Sequence, residues 1–207
     1  MKSSYVKVCG MRDADNIREV ERLGIDLMGF IFWPRSCRYV SERPAYLPTA
    51  CKRVGVFVDA AIDEVLQKTQ EYALDIIQLH GHESPEYIRQ LRGLRVIKAV
   101  SIGKRSDLAV CRDYEGAVDC FLFDTKGESA GGNGVRFDWT VLDAYDGQTP
   151  FLLSGGIGPD DAERVRAFQH PRCIGIDLNS RFEKAPALKD SQQLETFIKK
   201  IRHEQNQ

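Results

Sequence analysis

Two residues of this chain are placed to exchange protons with a small molecule. Cys9 ends the apolar run VKVC (Val6–Cys9) and is followed by Gly10. A thiolate is a competent base, although a cysteine at its ordinary pKa of ~8.5 is mostly protonated at neutral pH. Position alone leaves Cys9 either as that base or as an inert buried thiol. Asp124 ends a second run, CFLFD (Cys120–Asp124), with Cys120 and Leu122 on its own face. A carboxyl group at such a place suits acid–base work, or else caps the loop that follows.

Other residues suit an anion. SGGIG (Ser154–Gly158) follows FLL and offers backbone N–H groups that no side chain shields. Asn179, Ser180 and Arg181 follow IGIDL and add donors. A Gly-Gly pair can simply turn a chain, so the weight lies in finding two donor-rich loops together. Within WPRSCRYV, Arg35 and Arg38 could each hold a carboxylate by two parallel hydrogen bonds, or be solvated at the surface. His80, behind Gln78, reads more readily as structural than as catalytic. The loop Thr125–Phe137 carries Gly127, Gly131, Gly132 and Gly134, which suits a cover or binding loop.

The elements that would position these groups recur along the whole chain. The apolar runs are Val6–Cys9, Leu27–Phe32, Arg53–Val58, Ile76–His80, Arg95–Val100, Cys120–Asp124, Phe151–Ser154 and Ile174–Leu178. Near-continuous apolar runs of this kind indicate parallel strands buried on both faces. Between them Asp13–Gly24, Ala61–Leu74, Ser84–Leu91, Pro159–Phe168 and Asp190–Arg202 read as helices. Eight strands with following helices fit an α/β fold, the (β/α)8 TIM barrel, as a single domain over residues 1–207. The competing architecture is an open doubly wound sheet, but no GxGxxG follows the first run. In a barrel, the residues ending the strands surround the active site. Tyr5, Lys7 and Cys9 share one face of the first strand. If Val6 and Val8 meet the helices, Cys9 points into the mouth and Lys7 lies one layer deeper.

Composition narrows the function class. The 207 residues carry 29 Lys plus Arg against 30 Asp plus Glu, so the basic excess of a nucleic-acid binder is missing. None of the 6 cysteines forms a CxxC pair or a zinc-like spacing. No apolar run approaches the ~20 residues needed to cross a bilayer, and the N-terminus lacks the apolar core of a signal peptide. These features predict free thiols in a reducing cytoplasm, with neither nucleic acid nor membrane as partner.

Seven segments occur in a familiar order: VKVCGMRDADNI, GFIFWPRSCRYV, VGVFVD, IIQLHG, FDTKGESAGGNGVRFDW, LLSGGIGPDDA and GIDLNSRFE. Over essentially its entire length the chain resembles the phosphoribosylanthranilate isomerase family of the tryptophan pathway. The resemblance implies an Amadori rearrangement of N-(5-phosphoribosyl)anthranilate to 1-(2-carboxyphenylamino)-1-deoxyribulose 5-phosphate. It assigns Cys9 as general base and Asp124 as general acid. It gives Arg38 to the anthranilate carboxylate, and Gly155, Gly156, Asn179 and Ser180 to the phosphate. The intermediate iminium is its own electron sink, so no cofactor or metal is expected. The only partner implied is the small phosphosugar, bound by a monomer or a homodimer. Asn179-Ser180-Arg181 departs from the family's common Ser-Ser-Gly, and Asn133 from its Thr or Ser. The alternatives are another phosphosugar isomerase barrel, which typically has an aspartate where this chain has Cys9, and a non-catalytic phosphate-binding barrel.

Overall fold

The computed structural model describes residues 5–125 and 138–202. Eight parallel strands close on themselves in sequence order. They are β1 (Tyr5–Cys9), β2 (Leu27–Ile31), β3 (Lys52–Phe57), β4 (Ile76–Leu79), β5 (Arg95–Ile102), β6 (Cys120–Thr125), β7 (Phe151–Leu153) and β8 (Cys173–Leu178). The ring is sealed between β1 and β8, where Lys7 sits directly opposite Asp177. All eight apolar runs therefore form the strands expected of them, within a residue or two at each end. The loop proposed over Thr125–Phe137, with Asn133, lies outside the described residues from position 126 onward.

Alternation sorts the strand residues into two cores. Val6, Val8, Phe30, Ile77, Phe121 and Phe123 face outward into the layer beneath the helices. Leu27, Val54, Ile76, Ile97, Leu122 and Leu152 fill the barrel interior. Cys9, Ile31, Val56 and Trp33 form a smaller cluster above them, toward the mouth. At the opposite end an N–H near the start of a strand needs a partner that no preceding turn supplies. Asp26, Asp75 and Asp119, each just before an even-numbered strand, accept from Val6, Arg53 and Val96 at 2.8, 2.8 and 2.7 Å.

The helices are α1 (Ala14–Glu21), α2 (Ile62–Tyr72), α3 (Pro85–Arg89), α4 (Cys111–Tyr114), α5 (Ala162–Ala167) and α6 (Ser191–Arg202). Asp13 caps α1 by accepting from the Asn16 amide at 2.8 Å, and Ser84 caps α3 with Pro85 in the first turn. The stretch from Pro159 begins as a 3-10 turn before becoming α5. The expected helix after every strand is not met everywhere among the described residues: the connection from β6 to β7 holds only a 3-10 helix, Trp139–Ala144, and no helix lies between β2 and β3. Pro34, Pro44 and Pro48 fall in that connection, each removing an N–H donor and clashing with a preceding turn. The segment is held instead by Val40, whose amide donates to the Ile31 carbonyl at 2.9 Å, and by buried Val40 and Leu47. After β8 a two-stranded hairpin, β9 (Glu183–Ala185) and β10 (Leu188–Lys189), folds back over the barrel.

Candidate active site

The strand ends surround an open mouth of about 770 Å³. Cys9, Asp124, Arg38, Gly155, Gly156, Asn179 and Ser180, the residues expected there, all line it. Arg35 does not; its guanidinium lies 5.4 Å from the centre of the Trp33 ring.

Cys9 is only 3% exposed, with its sulfur at the floor of the mouth. Its place depends on Gly29, the residue opposite it on β2, because a methyl group there would fall 2.6 Å from Cys9 Sγ. One layer down, as the alternation of β1 predicts, Lys7 is fully buried and its Nζ donates to Asp177 Oδ1 at 2.8 Å. Burial pushes the Cys9 thiol above its ordinary range and Asp177 adds to this, while the Lys7 and Lys189 ammonium groups oppose it. Burial also works against the charge on Lys7, yet Asp177 and Cys9 hold its pKa above the ordinary value.

Asp124 is the last residue but one of β6, five strands on from β1 around the ring. Its Oδ1 accepts from the Thr125 amide at 2.8 Å, the local capping bond that an aspartate there can make. Its other oxygen remains at the mouth, 3.5 Å from His80 Nε2. Gln78 Nε2 lies 3.0 Å from His80 Nδ1. His80 also lines the mouth, beside Asp124.

The anion loops lie side by side, as β7 and β8 are neighbours. Gly155 and Gly156 have φ of +88° and +67°, a left-handed pair that L side chains rarely adopt. Successive amides in such a turn form a concave set of donors suited to a phosphate. Arg181 stands where the resembling family commonly has glycine. It is not among the described non-glycine residues with positive φ, so this version of the loop does not need glycine's freedom.

Two residues of the site carried no sequence signal. Glu183 on β9 takes Arg38 in a paired ion bond, with Nε–Oε1 at 2.9 Å and Nη2–Oε2 at 2.7 Å. Lys189 on β10 is fully buried, its Nζ donating to Asn179 Oδ1 at 2.8 Å and to Glu183 Oε1 at 2.5 Å. Burial pushes the Lys189 pKa down against the pull of Glu183. Asn16 on α1 locks this hairpin in place, giving and receiving backbone hydrogen bonds with Lys189 at 2.9 and 2.8 Å. The Asn179 side chain is thus tethered to Lys189 through its oxygen, which leaves its NH2 group as the end not held by Lys189.

Comparisons with known proteins point to one family. Residues 6–200 match the family model described as N-(5'-phosphoribosyl)anthranilate (PRA) isomerase. A protein of that name from Phocaeicola vulgatus is 53% identical over 199 residues, covering 95% of this chain and 97% of its own. The crystal structure of phosphoribosyl anthranilate isomerase from Thermus thermophilus superimposes with a TM-score of 0.82 at 28% identity, over 96% of this chain and 98% of its own. A second structure of such an enzyme contains reduced 1-(o-carboxyphenylamino)-1-deoxyribulose 5-phosphate. It matches with a TM-score of 0.80 at 28% identity, over 97% of this chain and 99% of its own. The family model spans nearly all of the barrel, and the chain belongs to the N-(5'-phosphoribosyl)anthranilate isomerase family.

Proposed function

We propose that the chain isomerises N-(5-phosphoribosyl)anthranilate to 1-(2-carboxyphenylamino)-1-deoxyribulose 5-phosphate in tryptophan biosynthesis, with Asp124 as general acid and Cys9 as general base. The observation that carries this reading is that both groups face one mouth from β1 and β6, beside the glycine turn after β7. Asp124 gives its proton to the ribose ring oxygen as the bond from that oxygen to C1 breaks. The nitrogen lone pair then forms the C1–N double bond, giving an iminium conjugated with the aromatic ring. The Cys9 thiolate takes the proton from C2, and the electron pair of that bond moves toward the iminium nitrogen. The resulting enolamine tautomerises to the ketone, so the reaction is redox-neutral within one molecule.

Gly155, Gly156, Asn179 and Ser180 hold the phosphate at one end of this substrate, and Arg38 holds the anthranilate carboxylate at the other. Binding at both ends can fix C1 and C2 between acid and base. Residues 1–207 act as this one unit, as a monomer or a homodimer, in the cytoplasm. Among the described residues no helix is long and apolar enough to cross a membrane.

The test is turnover of substrate formed in situ from anthranilate and phosphoribosyl pyrophosphate. Cys9→Ala and Asp124→Asn should each lower kcat by at least ~10²-fold, the lower range for losing a positioned acid or base. Near-normal turnover by a folded Cys9→Ala protein would make the thiol structural and remove the proposed base.

A further inference from the structure

Beneath Cys9 lies a buried cation that the acid–base pair alone does not require. Lys7 is 0% exposed, and a lysine is almost never so deeply buried without a partner. Its pairing with Asp177 follows from the register of β1 and β8, which sets the two residues opposite each other. An ammonium has three donors, and Cys9 lies two residues along the same face of β1, where its charge and that of Lys7 act on each other. Asp177 Oδ2 in turn faces Ser154 Oγ at 3.4 Å, so the carboxylate is held from the far side.

The charges facing Cys9 come from four elements. They are Lys7 on β1, Asp177 on β8, Lys189 on β10 and Arg38 in the connection after β2. Glu183 on β9 pairs with both Arg38 and Lys189. Among these five groups, three cations stand against two carboxylates, one surplus positive charge when all are ionised and Cys9 is a thiol, with Asp124, His80 and Arg181 lining the same mouth. Loss of the thiol proton removes that surplus. Coulombic compensation of this kind is strong where water is excluded.

We propose that Lys7 is a positioning residue for the isomerisation, holding the Cys9 thiolate from below through an ammonium anchored on Asp177. This inference rests on the reading of Cys9 as the base. Burial alone would keep the thiol protonated, and the Lys7 charge is the largest influence working against it. The thiolate forms by releasing its proton to solvent through the mouth. It then takes the C2 proton and returns to the thiol, with Lys7 remaining an ammonium throughout.

Lys7→Met keeps the length and bulk of the side chain and removes the charge. Cys9 is titrated by ultraviolet thiolate absorbance, as the difference between each protein and its counterpart carrying Cys9→Ala. This subtraction removes the other cysteines and the tyrosines. The Cys9 midpoint should rise by about one pH unit or more, the usual influence of an opposite charge at close range. At neutral pH kcat/KM should fall about tenfold or more and recover as pH rises, while KM changes little. If Lys7→Met does not fold because Asp177 is stranded, the double variant Lys7→Met with Asp177→Asn removes the stranded charge and is compared with Asp177→Asn alone, over which its Cys9 midpoint should rise, because Asp177 itself pushes the thiol up. An unchanged Cys9 midpoint in the folded variant overturns the role of Lys7. A Cys9→Ala protein with normal turnover overturns the base assignment instead, and leaves the midpoint shift standing as a separate result.

Discussion

Arg38 and Glu183 are 145 positions apart in the chain, yet they meet edge to edge, with Nε 2.9 Å from Oε1 and Nη2 2.7 Å from Oε2. Such a pair fixes the guanidinium plane and leaves the Nη1 side of the fork free of Glu183. The same carboxylate takes the ammonium of Lys189, so one acidic residue anchors two cations beside the mouth. Burial pushes the Glu183 carboxyl up, but the hydrogen bonds from Arg38 and the charge and hydrogen bond of Lys189 outweigh it. Its pKa lies below the ordinary 4.5.

The sign of the resulting pH dependence follows. A carboxyl group with its pKa depressed on folding adds stability that is complete above its unfolded pKa and is lost as pH falls through the folded value. Glu183→Gln should therefore weaken the fold at neutral pH by roughly 3–5 kcal/mol, the cost of stranding buried partners. It should also flatten the fall in stability on acidification below about pH 4.5. Urea melts across that range would measure both effects. An identical acid slope in variant and parent would show that Glu183 is not held ionised by its two cations.

Gly29 and Cys9 are neighbours across β2 and β1, and the absent side chain of one makes room for the sulfur of the other. In Gly29→Ala the new Cβ would sit 2.6 Å from Sγ and 3.1 Å from Cys9 Cα, so both thiol and strand must shift. A displacement near 1 Å typically costs about 10²-fold in rate. We expect kcat to fall by that order with little change in KM. The loss of stability should be about 1–3 kcal/mol, as for other overpacked interiors. Steady-state kinetics beside thermal melting separate the two effects, and an unaltered kcat would mean that the thiol position does not matter to the chemistry.

Strand ends were legible because burial on both faces leaves an apolar run that stops where the mouth begins. Cys9 and Asp124 close such runs, and SGGIG and Asn179-Ser180 follow two others. The connection after β2 went against expectation although its prolines were in plain sight, because the repeat pattern of the other strands argued for a helix there. Glu183 and Lys189 were illegible for a different reason. A charged residue in a polar stretch is usually solvated, and their burial depends on Asn16, which is 173 positions from Lys189 in sequence. Asp177 needed the register of β1 against β8 before its pairing with Lys7 could be read.

The glycine turn after β7 makes a claim that can be checked without substrate. Inorganic phosphate should compete with substrate and raise Tm, since a ligand that binds only the folded state stabilises it by about 2.7 kcal/mol at a hundred times its Kd. Gly156 has φ of +67°, a conformation that a branched side chain tolerates poorly. Gly156→Val should therefore raise KM and abolish the phosphate-induced rise in Tm, measured against its own phosphate-free Tm. If the rise survives at full size, the anion binds elsewhere.

The last prediction separates this reaction from isomerisations of other phosphosugars. Arg38 lines the mouth while Glu183 holds its Nε edge, so the orientation of the guanidinium is set before any ligand arrives. A planar fork held in this way can meet the anthranilate carboxylate at little further entropic cost, which a lysine cannot reproduce. Losing a charge-assisted hydrogen bond typically costs ~1.5–3 kcal/mol. Arg38→Ala should thus lower kcat/KM by roughly ten- to over a hundredfold, seen in KM if ground state and transition state are held equally. Arg38→Lys should recover only part of that loss. A substrate made with aniline in place of anthranilate lacks the carboxylate, so it should be poor for the parent enzyme and barely worse for Arg38→Ala. If Arg38→Ala still prefers the anthranilate substrate as strongly as the parent does, Arg38 does not hold the carboxylate.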